Sequence, residues 1–183
     1  MIYSTKDLLK KYKNNTAISR KLKEGTLFKV SHGIYSDDET CIADMEKIFL
    51  TYKNTTLTNE SAFYFYDLSD YIPTKYNIAS ENKGSKIAFE NVDQSYMNNN
   101  LIKVGRKKVK TDYGYIYIFD KERMLVELIR LRNKFSYEYF KEVVSNYRKL
   151  VINGEIDFMK VVSYCEAFKR GDNIRKQIED LVY

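Results

Sequence analysis

An α+β protein is predicted for this chain by three observations: helical apolar spacing near both ends, short alternating segments in the middle, and a helix, turn, helix and hairpin order within the first 35 residues. Ser4-Thr5-Lys6-Asp7 opens the first helix as a capping box, in which the serine oxygen accepts from the amide of residue 7 and the aspartate reaches back to the cap. Leu8, Leu9 and Tyr12 give that helix one apolar stripe. Lys13-Asn14-Asn15 is a turn, because asparagine tolerates cap and left-handed geometry. A second helix is expected over residues 16–24, ended by Gly25. In it Ile18 and Leu22 stack one turn apart and mark the buried side, while Thr16, Ser19, Arg20 and Lys23 fall within about 100° on the opposite side. Residues 26–30 read as a strand, Ser31-His32-Gly33 as a tight turn and Ile34-Tyr35 as the returning strand. This is the order of a winged helix-turn-helix.

Asp37-Asp38-Glu39 reads as a linker, which divides the chain into a domain at residues 1–36 and a mixed α/β domain at 41–183. In the second, helices are expected at 42–52 and 59–66, with Leu57-Thr58 a strand end between them. Strands are expected at 76–79, 86–90, 101–104 and 113–119, the last because Tyr113, Tyr115, Tyr117 and Phe119 alternate with smaller residues. The strand-containing part thus covers 41–119. From Asp120 onward the spacing is helical: Met124, Leu125, Leu128 and Leu131; Phe140, Val143, Val144 and Tyr147; Phe158, Val161, Val162, Cys165 and Phe168; Ile174, Ile178 and Leu181. Asp120, Ser136 and Asp172 stand where N-caps belong, so the domain ends in a helical bundle over 120–183.

Hydrophobic residues at 44% and charged residues at 31% exclude a disordered or fibrous chain. No apolar run approaches the ~20 residues of a membrane span, and no secretory stretch opens the sequence, so no membrane partner and a cytoplasmic location are expected. Cys41 and Cys165 are far apart and His32 is the single histidine, so neither a metal site, a disulfide nor a cofactor is expected. The charge is unevenly placed. Residues 1–35 hold eight Lys/Arg and two acids, which accounts for the whole net charge of +6, and the remainder is neutral. Such asymmetry is the footprint of a polyanion-binding segment on a neutral body.

Double-stranded DNA is the polyanion this arrangement suits. Thr16, Ser19, Arg20 and Lys23 would enter a major groove, Lys21 would hold a phosphate from the edge of that face, and Lys29 and His32 would lie on a wing near phosphates. A second basic stretch, Lys103, Arg106, Lys107, Lys108 and Lys110, carries no acid. It reads as a charged hairpin loop around Gly105, with a second nucleic-acid or partner contact as the alternative. Glu81-Asn82-Lys83, with Asp67 and Asp70 upstream, has the form of a metal-dependent nuclease core, but it runs into the turn signal Gly84-Ser85 and reads as a solvated loop. No Gly-rich phosphate loop and no G-x-S-x-G occurs, so no catalytic residue is expected. The aromatic cluster at 63–76 reads as core in preference to a base-stacking platform.

Three stretches taken together resemble the AbiEi antitoxins of type IV abortive-infection toxin–antitoxin systems. They are Gly25-Thr26-Leu27-Phe28-Lys29-Val30-Ser31-His32-Gly33-Ile34-Tyr35, then Thr58-Asn59-Glu60-Ser61-Ala62-Phe63-Tyr64-Phe65-Tyr66-Asp67-Leu68-Ser69-Asp70-Tyr71-Ile72-Pro73, then Asp120-Lys121-Glu122-Arg123-Met124-Leu125-Val126-Glu127-Leu128-Ile129-Arg130, followed by a helix with Tyr139, Phe140, Tyr147 and Arg148. The resemblance implies a DNA-binding N-terminal domain that represses its own operon. It also implies a C-terminal domain that counters a nucleotidyltransferase-like toxin without a stable complex. Many members carry a further leading helix and a Ser/Thr-Arg pair at the start of the recognition helix, where this chain has Asn14-Asn15, and the basic residue usual before the wing glycine is His32 here. Operator affinity is therefore expected to be weaker or differently distributed. The rival expectations are a nuclease using Glu81 and Lys83, and a stand-alone interaction protein whose basic N-terminus only solubilises it.

Overall fold

The computed structural model describes residues 1–38, 43–112 and 114–183. They form a mixed α+β fold with eight α-helices and two sheets among the described residues. Contacts divide the chain into two compact units, Met1–Lys53 with Val109–Ile116, and Asn54–Lys108 with Tyr117–Tyr183. Of the sequence expectations, Glu39, Cys41, Ile42 and Tyr113 lie outside the described residues.

The first unit runs β1 (Ile2–Ser4), α1 (Thr5–Tyr12), α2 (Asn15–Lys23), β2 (Phe28–Ser31), β3 (Ile34–Ser36) and α3 (Asp44–Thr51). The strands form an antiparallel sheet in the order β1-β3-β2. β1 was not foreseen; it places Ser4 opposite Ile34 and Tyr3 opposite Tyr35. Leu8, Ile18 and Leu27 make the core, with Tyr3, Tyr12, Leu22 and Tyr35 packed on it. Burying each of these aliphatic side chains contributes roughly 1.5–3 kcal/mol. Leu9, expected on the apolar stripe, is exposed, since Leu8 alone points to the core from the middle of α1. Asp37, at the start of the expected linker, has a carboxylate that accepts from the Tyr3 hydroxyl at 3.0 Å. The unit continues through α3 to Lys53, past the boundary expected at 36–41.

The second unit contains β4 (Thr55–Leu57), α4 (Asn59–Phe65), β5 (Tyr76–Glu81), β6 (Val92–Met97), a 3-10 helix (Leu101–Lys103), and parts of β7 (Arg106–Thr111) and β8 (Gly114–Phe119). It ends in α5 (Lys121–Arg130), α6 (Tyr137–Ile152), α7 (Phe158–Glu166) and α8 (Gly171–Val182). The sheet order is β6-β5-β4-β8-β7, with β4 antiparallel to β5 and parallel to β8, and β5 parallel to β6.

Four local expectations are corrected here. Residues 86–90 form no strand; the Gln94 side chain takes the place of a strand partner there, its Oε1 accepting from Ile87 N at 2.8 Å and its Nε2 donating to the preceding Ser85 O at 3.0 Å. The strand comes later, at β6. Residues 101–104 are a 3-10 turn, and the carbonyls of Leu101 and Val104 are both taken by Arg123. The basic stretch after Gly105 is β7, a strand at the sheet edge, not a loop. Asp172 does not cap α8 but sits in its first turn. The helix begins one residue earlier, at Gly171, with Arg170 at the cap position, and a Cβ on Gly171 would stand 2.2 Å from Cys165 O. In β8 Ile116, Ile118 and Phe119 are buried and Tyr115 is exposed, so of the expected aromatic alternation Phe119 reaches the core and Tyr115 does not.

α5 is the centre of this unit. Asp120 Oδ1 caps it by accepting from Arg123 N at 2.8 Å, and residues 122–129 are all buried, including Glu122, Arg123 and Glu127. Arg123 gives Nε and Nη2 to Glu127 Oε1 at 3.0 and 2.8 Å and lies over the Phe119 and Phe168 rings. Burial pulls its pKa down and the Glu127 carboxylate pushes back. Arg130 binds the other oxygen, Glu127 Oε2. Among the described residues no helix is long and apolar enough to cross a membrane.

Candidate nucleic-acid interface

The candidate interface is built on α1 and α2 of the first unit. Ser4 Oγ accepts from Asp7 N at 3.2 Å and Asp7 Oδ2 accepts from Ser4 N at 3.0 Å, which fixes where α1 begins. The Ser4 hydrogen bonds hold the Asp7 carboxyl below its ordinary pKa. Lys13 ends the helix in left-handed backbone, φ 67°, and Asn14 Oδ1 accepts from Ala17 N at 2.8 Å to start α2. With both ends pinned, the phase of α2 is set. Ile18 is buried and Leu22 packs on the core, so Thr16, Ser19, Arg20 and Lys23 are exposed.

Lys21 is half-buried, and its backbone carbonyl accepts from Thr26 N at 3.1 Å where the chain leaves the helix. Glu24 faces two of the cations: Arg20 Nε stands 3.4 Å from its Oε1 and Lys21 Nζ 3.1 Å from its Oε2. Sequence reasoning missed this, although the signal was present as the (i,i+4) and (i,i+3) spacings to an acid.

The β2–β3 hairpin carries Lys29 and His32, both exposed. Its turn is made by His32 and Gly33, the glycine at φ +73°. Gly33 O accepts from Thr5 N at 2.9 Å and from Thr5 Oγ1 at 3.3 Å, so the hairpin tip is tied to the first turn of α1. All seven residues expected at the interface therefore belong to one compact unit. On the other side of α1, Lys11 Nζ lies 5.0 Å from the Tyr3 ring and 5.4 Å from Tyr12, and these two tyrosines, Tyr12 foremost, raise its pKa.

The second basic stretch does not act as one group. Arg106 is half-buried, donates Nη2 to Thr55 O at 3.0 Å and stacks 3.8 Å from the Tyr117 ring centroid, and burial lowers its pKa. Lys103 is exposed on the 3-10 turn. Lys107, Lys108 and Lys110 are exposed on β7 at the sheet edge, where lysines keep an open edge from pairing with another chain. The nuclease elements are likewise dispersed in role. Asp67 takes left-handed backbone after α4, the amide of Asp70 donates to Glu142 Oε1 at 2.8 Å, and Glu81 ends β5. Among the described residues no three His, Cys, Asp or Glu are grouped to hold a metal.

The aromatic cluster is core at Phe63, edge-on to Phe135, Tyr139 and Tyr147, but Tyr64, Phe65, Tyr71 and Ile72 are exposed.

No protein-family model matches the chain, and no curated protein matches it by sequence. Solved structures do match, among them the crystal structure of the RV2827C protein from Mycobacterium tuberculosis, with a TM-score of 0.59 at 14% identity, over 96% of this chain and 71% of that one. At that identity the likeness is one of fold.

Proposed function

We propose that the chain is a DNA-binding regulator in which β1 to β3 serve as a winged helix-turn-helix, with α2 as the recognition helix and the β2–β3 hairpin as the wing. One observation carries this reading: Thr16, Ser19, Arg20 and Lys23 stand exposed on one side of a helix whose opposite side is locked to the core by Ile18, with Lys29 and His32 exposed in the same unit. Arg20 and Lys23 suit base edges and phosphates in a major groove, and Thr16 and Ser19 supply shorter hydrogen-bonding groups. The partner is double-stranded operator DNA. Together with the sequence resemblance to the AbiEi antitoxins, this supports a cytoplasmic, non-enzymatic autorepressor of a type IV toxin–antitoxin operon, linked in function to a nucleotidyltransferase-like toxin without a stable complex.

Binding of the full chain to DNA from upstream of its own gene, read by fluorescence anisotropy at fixed salt, tests the proposal. Arg20→Ala weakens specific binding by about 1–3 kcal/mol if the guanidinium reads a base. Unchanged affinity removes Arg20 from the reading head. The rival, a basic face that only solubilises, is favoured by Glu24, which already pairs with Arg20 and Lys21. It requires that promoter and random DNA bind alike.

A further inference from the structure

We infer that the second unit binds a small organic phosphate in a cavity of about 280 Å³ beside the C-terminal end of α5. Arg130 and Lys134 line it, together with Asn59 and Asn98, over an apolar wall that includes Leu101 and Phe168. No acidic side chain lines it among the described residues. The nearest carboxylate, Glu127, is divided between Arg123 on one oxygen and Arg130 on the other. Arg130 shares that carboxylate with Arg123, which Asp120 also faces, and Lys134 adds a further positive charge where the described lining has no acid.

The donor geometry is open as well. Arg130 uses Nε and Nη2 on Glu127, which leaves Nη1 without a hydrogen bond among the described residues, and no ion pair engages Lys134 there. A guanidinium edge with an ammonium beside it is a receptor for a phosphate group. A neighbouring cavity of about 580 Å³ shares Arg130, Asn98, Leu101 and Phe168 and adds Lys169 and Arg170, again with no acid among its described lining.

Asn59 says that the ligand is more than a bare anion. Its Oδ1 is buried with no hydrogen-bond partner, a condition that costs about 1–3 kcal/mol until a donor arrives. The residue's left-handed backbone, φ 47°, accounts for asparagine at this position but not for the orphaned oxygen. That oxygen is closed to solvent, so the Asn59 amide must turn into the cavity it lines for a hydroxyl on the body of the ligand to supply the missing donor, while the phosphate meets Arg130 and Lys134. A phosphorylated sugar has both groups, at a size suited to the cavity.

Calorimetric titration of the full chain with ribose 5-phosphate, ribose and inorganic phosphate tests the site. Ribose 5-phosphate is expected to bind, and to bind more tightly than either of the others. Lys134→Glu, an exposed position, weakens it about tenfold or more by removing a charged donor. Asn59→Gly keeps the backbone conformation and weakens ribose 5-phosphate, but not inorganic phosphate. The proposal is overturned if ribose 5-phosphate shows no heat at millimolar concentration. Equal binding of ribose 5-phosphate and ribose, equal binding of ribose 5-phosphate and inorganic phosphate, or variants that bind as the parent does, would overturn it too. None of these results depends on whether the first unit binds DNA.

Discussion

Arg20 and Glu24 on α2 stand four residues apart, and so do Arg123 and Glu127 on α5. In the first unit the pair is open to water, its nitrogen and oxygen 3.4 Å apart and its side chains 70% and 43% exposed. In the second it is closed, at 2.8 Å with both side chains 0% exposed. The spacing is identical and the use is opposite. On α2 the neighbours are polar and basic, and one turn-to-turn stripe, Ile18 and Leu22, reaches the core. On α5 the pair is set among Met124, Leu125, Val126, Leu128 and Ile129, all buried, so the helix is enclosed on every side and takes its charges inside with it. An Arg–Glu pair is therefore a surface feature or a structural one according to how many faces of its helix are apolar.

The largest expected effect follows from the closed pair. Arg123→Met leaves the Leu101 and Val104 carbonyls without their donor and removes one of the two cations on Glu127, and loss of one partner of a buried pair costs about 3–5 kcal/mol. Denaturant unfolding of the full chain measures it. The double variant Arg123→Met with Glu127→Leu is expected to be less destabilised than the single one, because no buried charge is then left under-compensated. Arg20→Ala, by contrast, shifts folding by no more than about 0.5 kcal/mol. If the two single substitutions destabilise equally, the contrast between the units is void.

A pair of glycines sharpens the same comparison. Gly105 and Gly25 have nearly the same backbone, φ +68° and +67°, but a Cβ on Gly105 would stand 2.5 Å from Arg123 Cβ, whereas nothing lies within 4 Å of one on Gly25. Gly25→Ala then carries only the left-handed cost of about 1–2 kcal/mol. Gly105→Ala adds overpacking and is expected to cost about 2–4 kcal/mol. Thermal unfolding of the two variants ranks them, and equal losses would mean that the packing of Gly105 on α5 is loose.

What could be read beforehand follows the range of the physics. The caps at Ser4, Asp120 and Ser136 are local, decided by a side chain and an amide three residues away, and the structure contains all three. The sides of α2 were legible because Ile18 and Leu22 are the only large aliphatic residues it has. β1 was not, since Ile2 and Tyr3 become a strand only by pairing with β3, more than thirty residues on. β6 was hidden for a similar reason. Val92-Asp93-Gln94-Ser95-Tyr96-Met97 is polar for a strand and gains its place by pairing along the whole length of β5, while the more apolar 86–90 loses its amide to Gln94. The burial of Arg123 and Glu127 was not legible, because burial is a property of what surrounds a helix. The open pocket beside Arg130 was illegible for the same cause: Asn59, Asn98, Lys134 and Phe168 meet only in three dimensions.

The smallest expected effect concerns the open pair, and it tests whether exposure on α2 serves DNA. Glu24 holds Arg20 and Lys21 with a single exposed carboxylate, and such surface pairs contribute about 0.2–1 kcal/mol. Phosphates that bind those cations must displace it. Glu24→Gln is therefore expected to lower folding stability by up to about 1 kcal/mol while tightening DNA binding by a similar amount, up to about fivefold. If Lys13, Arg20, Lys21, Lys23 and Lys29 supply most of the phosphate contacts, four to five phosphates are neutralised, and log affinity against log salt has a slope of about −4, at about −0.9 per phosphate. Lys21→Ala makes that slope shallower by about one unit and leaves the sequence preference unchanged, because a cation at the edge of the face positions the helix and does not read bases. Charge reversal of Lys107 and Lys108 is the control, since on the edge strand β7 they guard an open sheet edge. Their reversal should leave the slope near its original value. A flattening larger than that caused by Lys21→Ala would move the DNA surface to β7, and the charge on α2 would then be only the solvated face of a small helix.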